Sequence, residues 1–264
     1  MPNLTLSHNV NIYYLDENSS GHETALLLHG LGADSASWQL QIPALTPAGF
    51  RVVAPDSPGF GRSSGLRKLN CIAELITFIP ELFDTLKITA AHVVGISMGG
   101  TQALQLALDF PKLVKKLVLV NTYAKLDFSN PRSWPYYLLR WTLIHTFGLS
   151  TQAKVVAKRI FPQPEQAELR QMLIAQILQV KPAYYRSAMR SLATFNVSQR
   201  LSTISAPTLI ITGEKDTTVS PSVQRMLVER IPNARQAVIQ DAGHAVSVEQ
   251  PEKFNRILLD FLME

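Results

Sequence analysis

The sequence predicts an α/β fold with a mostly parallel sheet that helices cover on both faces. Short and nearly continuous apolar runs recur along the chain, as is typical of parallel strands buried on both sides. Patterns with helical periodicity separate these runs, and the alternation favours right-handed crossovers between strands. With 264 residues, of which 46% are hydrophobic and 17% charged, the chain is long enough to bury one large core.

The elements of this core domain are expected in residues 1–121 and 197–264. The predicted strands, which are apolar and bounded by turn residues, are Val10–Leu15, Thr24–Leu28, Arg51–Ala54, His92–Ile96, Leu117–Val120, Thr208–Thr212 and Gln236–Ile239. The predicted helices, which lie between and after these strands, are Cys71–Leu86, Gly99–Leu108, Ser222–Ile231 and Pro251–Leu262.

Residues 122–196 interrupt the alternation, because they contain no good strand candidate. They show four helical patterns that glycine and proline separate: Trp134–Phe147, Thr151–Ile160, Glu165–Gln179 and Ala183–Phe195. Such an insertion is expected to form a helical cap over the C-terminal edge of the sheet. Most of its apolar residues are expected to pack on the core and the rest to line a pocket. These residues include Tyr136, Tyr137, Leu138, Trp141, Leu143, Met172, Leu173, Ile177 and Leu178.

Charge and composition argue against several classes of protein. The net charge is +5, but the chain has no run of five to eight basic residues, so nucleic-acid binding is not favoured. The net charge is distributed unevenly along the chain, with +8 between Thr122 and Arg200 and −3 over all other residues. The absence of a long apolar segment, of a signal-peptide pattern and of a partner for the single Cys71 predicts a cytoplasmic protein that does not enter a membrane.

Residues 95–99 read Gly-Ile-Ser-Met-Gly, a G-x-S-x-G pattern between a predicted strand and a predicted helix. This context is typical of a nucleophile elbow, in which the two glycines leave room for a tight turn. Ser97 then projects from the sheet edge, beside the positive end of the helix dipole. The pattern therefore predicts that Ser97 is a catalytic nucleophile.

A serine hydroxyl needs a base, and His244 is the best candidate because it lies in a glycine-containing loop after the last predicted strand. The other histidines either lie at or in strands (His29, His92) or lack such a loop (His8, His22, His145). Asp216 is the candidate acid that fixes the imidazole tautomer. Of the competitors, Glu214 sits too early in its turn, Asp241 is too close to His244, and Asn121 cannot carry the charge.

The order Ser97, Asp216, His244 is that of the α/β-hydrolases. The sequence resembles this superfamily over nearly its whole length, on the segments 29–32, 56–63, 95–100, 213–216 and 243–244. The resemblance implies an α/β-hydrolase fold, with a mostly parallel eight-stranded sheet, one antiparallel strand near its start and a cap after the sixth strand. It also implies an oxyanion hole formed by the backbone N–H groups of Leu31 and Met98.

The expected activity is hydrolysis of small, fairly apolar carboxylic esters through an acyl-enzyme on Ser97. Serine at the elbow argues against haloalkane dehalogenases and epoxide hydrolases, which resemble this fold but attack with a carboxylate. The basic cap keeps open a C–C bond hydrolase of the meta-cleavage product type, or an enol-lactone hydrolase, acting on anionic substrates. A cofactor-free haloperoxidase and a ligand-binding receptor on the same fold are further alternatives.

No cofactor or metal is expected. The chain has no Walker A sequence, no C-x-x-C and no histidine pair at helical spacing, so a zinc site has no evident ligands. The expected partner is a small-molecule ester, and the expected assembly is a monomer or homodimer.

Overall fold

The computed structural model describes residues 3–6, 10–66, 69–126 and 134–264, without the side chains of Trp134, Tyr136 and Tyr137. The histidine candidate His8 and the side chains of Tyr136 and Tyr137 therefore lie outside what the structure describes.

An eight-stranded sheet forms the framework. Its strands are β1 (Asn3–Thr5), β2 (Asn11–Glu17), β3 (Glu23–Leu28), β4 (Phe50–Pro55), β5 (Ala91–Ile96), β6 (Val114–Val120), β7 (Thr208–Gly213) and β8 (Ala234–Ile239). Their order in the sheet is β1-β2-β4-β3-β5-β6-β7-β8. β2 pairs antiparallel with both β1 and β4, and the pairs from β4 to β8 are parallel. The predicted mostly parallel eight-stranded sheet with one antiparallel strand is confirmed.

Helices cover both faces of this sheet. Those of the core are α1 (Ile42–Leu45), α2 (Ile79–Leu86), α3 (Met98–Asp109), α8 (Pro221–Arg230), α9 (Val246–Glu249) and α10 (Pro251–Met263). Alternate residues of β3 belong to two separate apolar clusters, with Leu26 and Leu28 in one and Ala25 and Leu27 in the other. The first cluster includes side chains of α2 and α3, and the second those of α10. Both faces of the strand are therefore buried, which explains its continuous apolar sequence.

The predicted helix Cys71–Leu86 is wrong as a single element. The chain forms a short 3₁₀ helix, Ile72–Ile76, and then starts again as α2. Pro80 lies in the first turn of α2. Proline has no N–H to donate and fits the first turn of a helix but not its interior, so the helix begins anew there. The three-residue strand β1 was not predicted, because it is too short to show a periodic pattern.

Between β6 and β7, the residues described from 134 to 194 form helices joined by short turns, and a loop leads from there to β7. The helices are α4 (Trp134–Thr142), α5 (Gly148–Ile160), α6 (Ala167–Gln179) and α7 (Pro182–Thr194), with a π-helical turn at Leu143–Phe147 and a 3₁₀ turn at Pro164–Gln166. A single bridge between Lys125 and Asn196 joins the two ends of this segment. The observed ends lie close to the predicted boundaries of the cap, and the division into two domains stays a prediction.

The expectation that most apolar residues of the insertion pack on the core is met in part, because Ile144, Val156, Tyr185 and Phe195 are among the insertion residues buried in the main apolar cluster. Leu143 and Ile177 are buried, whereas Leu138, Trp141, Met172 and Leu178 are exposed. Leu138, Trp141 and Met172 line an open cavity, and Leu173 both lines this cavity and packs against the main apolar cluster.

Candidate active site

Ser97 occupies a strained turn between β5 and α3. Its φ of 54° and ψ of −113° place it in a region that residues with a side chain rarely adopt. Two hydrogen bonds hold this conformation: the Ser97 N–H donates to the carbonyl of Val120 (2.9 Å), and the Thr122 hydroxyl donates to the Ser97 carbonyl (2.8 Å). This is the backbone geometry expected of a nucleophile elbow.

The glycines that flank Ser97 are required by close backbone contacts. A Cβ on Gly95 would lie 2.2 Å from the carbonyl oxygen of Gly99, and a Cβ on Gly99 would lie 1.9 Å from that of Leu28. Since carbonyl groups of the sheet and the first helical turn cannot move aside, neither position admits a side chain. The reason given for the G-x-S-x-G pattern from sequence therefore holds in the structure.

The three side chains predicted as a triad lie together at the carboxyl edge of the sheet. Ser97 Oγ is 3.0 Å from His244 Nε2, and His244 Nδ1 is 2.9 Å from Asp216 Oδ2. The second oxygen of Asp216 accepts the N–H groups of Thr218 (2.7 Å) and Val219 (3.0 Å), which leaves Oδ2 directed at the imidazole. Asp216 and His244 are only 4% and 7% exposed. This arrangement can activate a hydroxyl for attack on a carbonyl carbon.

The residues predicted for the oxyanion hole lie on either side of Ser97. Leu31 lies in the cavity wall, in a loop so close that a Cβ on Gly30 would be 3.7 Å from Ser97 Cβ. Met98 is the first residue of α3, where helix N–H groups lack partners within the helix. Both positions suit the predicted role, which stays a prediction.

The rejected candidates have other environments. His29 is fully buried, with Nδ1 2.8 Å from the Gly30 carbonyl and Nε2 accepting the Ser57 N–H (2.9 Å). Burial lowers the pKa of His29, so its ring is neutral and ties the Gly30 loop to the loop after β4. Asp241 forms an exposed ion pair with Lys215 (2.6 Å) and is not directed at the imidazole.

Two residues that sequence reasoning missed as site residues hold the loop that bears His244. The Asn121 amide donates to the carbonyls of Gly243 (3.0 Å) and His244 (2.8 Å) and accepts the Gly213 N–H (2.9 Å). The Glu249 carboxylate accepts the N–H groups of Gly243 (2.9 Å) and Ala245 (3.0 Å). In the sequence, the only sign that Asn121 belongs to the site is its position directly after a predicted strand. That position was weighed for the acid of the triad and not for a residue that holds the His244 loop.

A cavity of about 750 Å³ opens beside Ser97 and His244. Its walls are mainly aliphatic and aromatic side chains from α4–α7 and the loop after β3. Three arginines also line it. Arg140 donates to the Tyr185 hydroxyl (3.2 Å), and Arg190 is exposed. Arg186 is half-buried, and within the described residues its guanidinium has no hydrogen bond or ion pair.

No cluster of three or more potential metal-ligating side chains occurs among the residues that the structure describes. In the same part of the chain, none of the helices combines the length and apolar character that a membrane span requires.

Comparisons with known proteins agree with this fold. A sequence profile of the alpha/beta hydrolase fold matches residues 25–251. A provisionally named carbamate hydrolase, RutD, from Variovorax paradoxus (strain S110) is 34% identical over 259 residues, covering 95% of this chain and 96% of that protein. A 2-hydroxy-6-oxononadienedioate/2-hydroxy-6-oxononatrienedioate hydrolase from Paraburkholderia phymatum is 32% identical, covering 94% and 90%. The enol-lactonase structure from Burkholderia xenovorans LB400 has a TM-score of 0.89 at 26% identity, covering 100% of each chain.

Proposed function

The chain belongs to the α/β-hydrolase family, and we propose that it is a serine hydrolase that cleaves carboxylic esters through an acyl-enzyme on Ser97. The observation that carries this proposal is the hydrogen-bonded series Asp216–His244–Ser97 at the base of a mainly apolar cavity. Ester hydrolysis needs only these groups and a water molecule.

In the first half of the proposed reaction, Ser97 Oγ attacks the ester carbonyl carbon while His244 Nε2 takes the hydroxyl proton. Asp216 holds Nδ1–H and stabilises the imidazolium. The N–H groups of Leu31 and Met98 donate to the developing oxyanion. His244 then gives its proton to the leaving alkoxide, so that the alcohol departs and the acyl group stays on Ser97.

In the second half, His244 takes a proton from water as the water oxygen attacks the acyl carbon. The tetrahedral intermediate collapses, the carboxylic acid leaves, and Ser97 Oγ recovers its proton from His244. The size of the cavity falls within the range of 300–1,000 Å³ that is common for small-molecule sites. A cavity of this size and lining supports esters whose acyl groups are longer than acetate or carry an aromatic ring.

The proposal is tested with p-nitrophenyl esters from acetate to decanoate and with an aryl carbamate. Ser97→Ala is expected to lower kcat by at least about 10³-fold on every ester that the wild type turns over, because no other hydroxyl lies against His244 Nε2 among the described residues. A fluorophosphonate should label the wild type at Ser97 and leave the variant unlabelled.

The matched control is Ser202→Ala, which removes an exposed serine hydroxyl that does not line the cavity and should leave kcat unchanged. Ester turnover that survives Ser97→Ala would overturn the mechanism. Turnover of the carbamate alone, lost in the same variant, would keep the nucleophile and replace the substrate class.

A second candidate function is hydrolysis of a substrate that carries a free carboxylate, as in a C–C bond or enol-lactone hydrolase. The observation that favours it is Arg186, a half-buried cation in the cavity wall that has no partner among the described residues. A guanidinium in an otherwise mainly apolar wall can bind a substrate carboxylate through charge-assisted, bidentate hydrogen bonds. The names of two similar proteins, a dienedioate hydrolase and an enol-lactonase, are consistent with this chemistry.

Arg186→Gln separates the two candidates. For an anionic substrate, KM is expected to rise by about 10- to 100-fold, since a charge-assisted hydrogen bond contributes about 1.5–3 kcal/mol. For a neutral ester of equal size, KM should change less than about twofold. Lys158→Gln is the matched control, because it removes an exposed charge of α5 that does not line the cavity. Equal effects of Arg186→Gln on both substrates would exclude a carboxylate subsite at this arginine.

A further inference from the structure

The backbone on both sides of His244 is held by two side chains from different elements. Glu249, at the end of α9, uses one carboxylate oxygen for the Gly243 N–H and the other for the Ala245 N–H. Asn121, at the end of β6, donates to the carbonyls of Gly243 and His244 from the other side. The peptide groups on both sides of His244 are therefore held in place, which fixes the direction in which the imidazole projects from the backbone.

The carboxylate of Glu249 is also a charge close to the imidazole. The ionisable groups that act on Glu249 are His244, which favours its ionised form, and Asp216, which opposes it. Glu249 is half-buried, and the two peptide N–H groups are what stabilise its negative charge there. No step of the ester mechanism proposed above uses this carboxylate.

We propose that Glu249 is a positioning residue, whose ionised carboxylate fixes residues 243–245 and places a second negative charge near the imidazolium that forms on His244 during catalysis. This inference rests on the proposed role of His244 as the base. Asp216 orients the ring through Nδ1, whereas Glu249 orients the peptide from which the ring projects. A second negative charge beside the imidazolium adds to the stabilisation that Asp216 provides.

The environment of Glu249 makes this contribution sensitive to pH. Burial raises the pKa of the Glu249 carboxyl above its usual range, although the hydrogen bonds from Gly243 and Ala245 act in the opposite direction. Protonation of Glu249 as the pH falls removes the charge and turns one oxygen into a hydroxyl, which accepts a hydrogen bond from a peptide N–H less well than a carboxylate oxygen does. Loss of the Glu249 charge is therefore expected to contribute to the fall in activity on the acid side of the pH profile.

The test compares Glu249→Gln, which keeps the length but removes the charge and puts an NH₂ group in place of one acceptor oxygen, with Glu249→Asp, which keeps the charge but cannot reach both N–H groups. In Glu249→Gln we expect kcat on a p-nitrophenyl ester to fall by about 10- to 100-fold with KM nearly unchanged. We expect the acid limb of the kcat/KM profile to move to lower pH, because the protonation of Glu249, whose pKa burial raises, no longer contributes to it. In Glu249→Asp kcat should fall while the acid limb stays where it is in the wild type.

Glu252→Gln is the matched control, since Glu252 is an exposed carboxylate in the first turn of α10, three residues further along. Rates are expressed per active site by fluorophosphonate titration, so that misfolded protein does not count. A wild-type pH profile in Glu249→Gln, at any kcat, would overturn the inference. Failure of the fluorophosphonate to label wild-type Ser97 would instead overturn the proposed function on which it rests.

Discussion

At the scale of single residues, Asp216 divides its two oxygens between the backbone and the imidazole. Oδ1 accepts two peptide N–H groups, and Oδ2 faces His244 Nδ1. In Asp216→Asn, the amide oxygen is expected to stay with the N–H groups of Thr218 and Val219, which turns the NH₂ group towards Nδ1. The ring must then carry its proton on Nε2, the nitrogen that faces Ser97, and cannot accept the hydroxyl proton.

We therefore expect Asp216→Asn to lower kcat on a p-nitrophenyl ester by about 10⁴-fold, as a wrong tautomer does in a known triad enzyme. Steady-state kinetics measures this change, and unfolding in urea checks that stability is similar. Asp241→Asn, which removes an exposed carboxylate of the neighbouring loop, is the control and should remain active. A loss below about tenfold in Asp216→Asn would show that the carboxylate is not needed to set the tautomer.

At the scale of elements, the junction of β5 and α3 is held by backbone contacts, whereas the neighbouring loop after β3 has space. A Cβ on Gly95 would meet the Gly99 carbonyl at 2.2 Å, but one on Gly30 would be no closer than 3.7 Å to Ile96 O or Ser97 Cβ. Gly95→Ala is therefore expected to lower the free energy of unfolding by about 2 kcal/mol or more, and Gly30→Ala by less than about 1 kcal/mol.

Urea denaturation of both variants measures this difference. Because the methyl group of Gly30→Ala would lie against Ser97, this variant should lose more activity on decanoate than on acetate esters. Similar stability of the two variants would mean that the elbow can relax, contrary to the rigid junction inferred here.

The same elements show which features the sequence could predict. The parallel strands and Ser97 were predictable because their signals are local: continuous apolar runs and a G-x-S-x-G pattern between a strand and a helix. The break at Pro80 could have been found from the same local chemistry. The roles of Asn121 and Glu249 could not, because each depends on hydrogen bonds to a loop whose position only the folded chain defines.

At the scale of the whole molecule, the cavity joins the two parts of the sequence that differ in charge. The basic segment between Thr122 and Arg200 contributes Arg140, Arg186 and Arg190 to the walls, while the mildly acidic remainder contributes Ser97 and His244. The sequence predicted the uneven charge but not which arginine faces inward, because the path of an inserted helix depends on its packing. Under the second candidate function proposed above, the charge of this segment acts on the substrate through Arg186 rather than as a general surface property.

Two buried histidines connect the stability of the whole fold to pH. Burial lowers the pKa of His29 and of His92, so both rings are neutral in the folded protein, whereas in the unfolded chain they titrate near 6.5. Below that pH the unfolded state binds more protons than the folded state. The free energy of unfolding is therefore expected to fall as pH falls below about 6.5, by at most about 1.4 kcal/mol per pH unit for each histidine.

His92→Gln removes one of these titrations and leaves the other. Nδ1 of His92 has no hydrogen bond within the described residues, and its Nε2 lies 3.4 Å from a Glu23 oxygen. The substitution also removes an edge-to-face contact with the ring of Phe50, whose loss lowers stability equally at every pH and leaves the slope unaffected. Urea denaturation between pH 7.5 and 5.5 should show a shallower loss of stability in His92→Gln than in the wild type. The raised pKa of Glu249 acts in the opposite direction but is common to both proteins, so it cancels in the comparison. His22→Gln, which changes an exposed histidine, is the control and should reproduce the wild-type dependence of unfolding free energy on pH. An equal pH dependence in all three proteins would show that His92 is not the neutral, buried group inferred here.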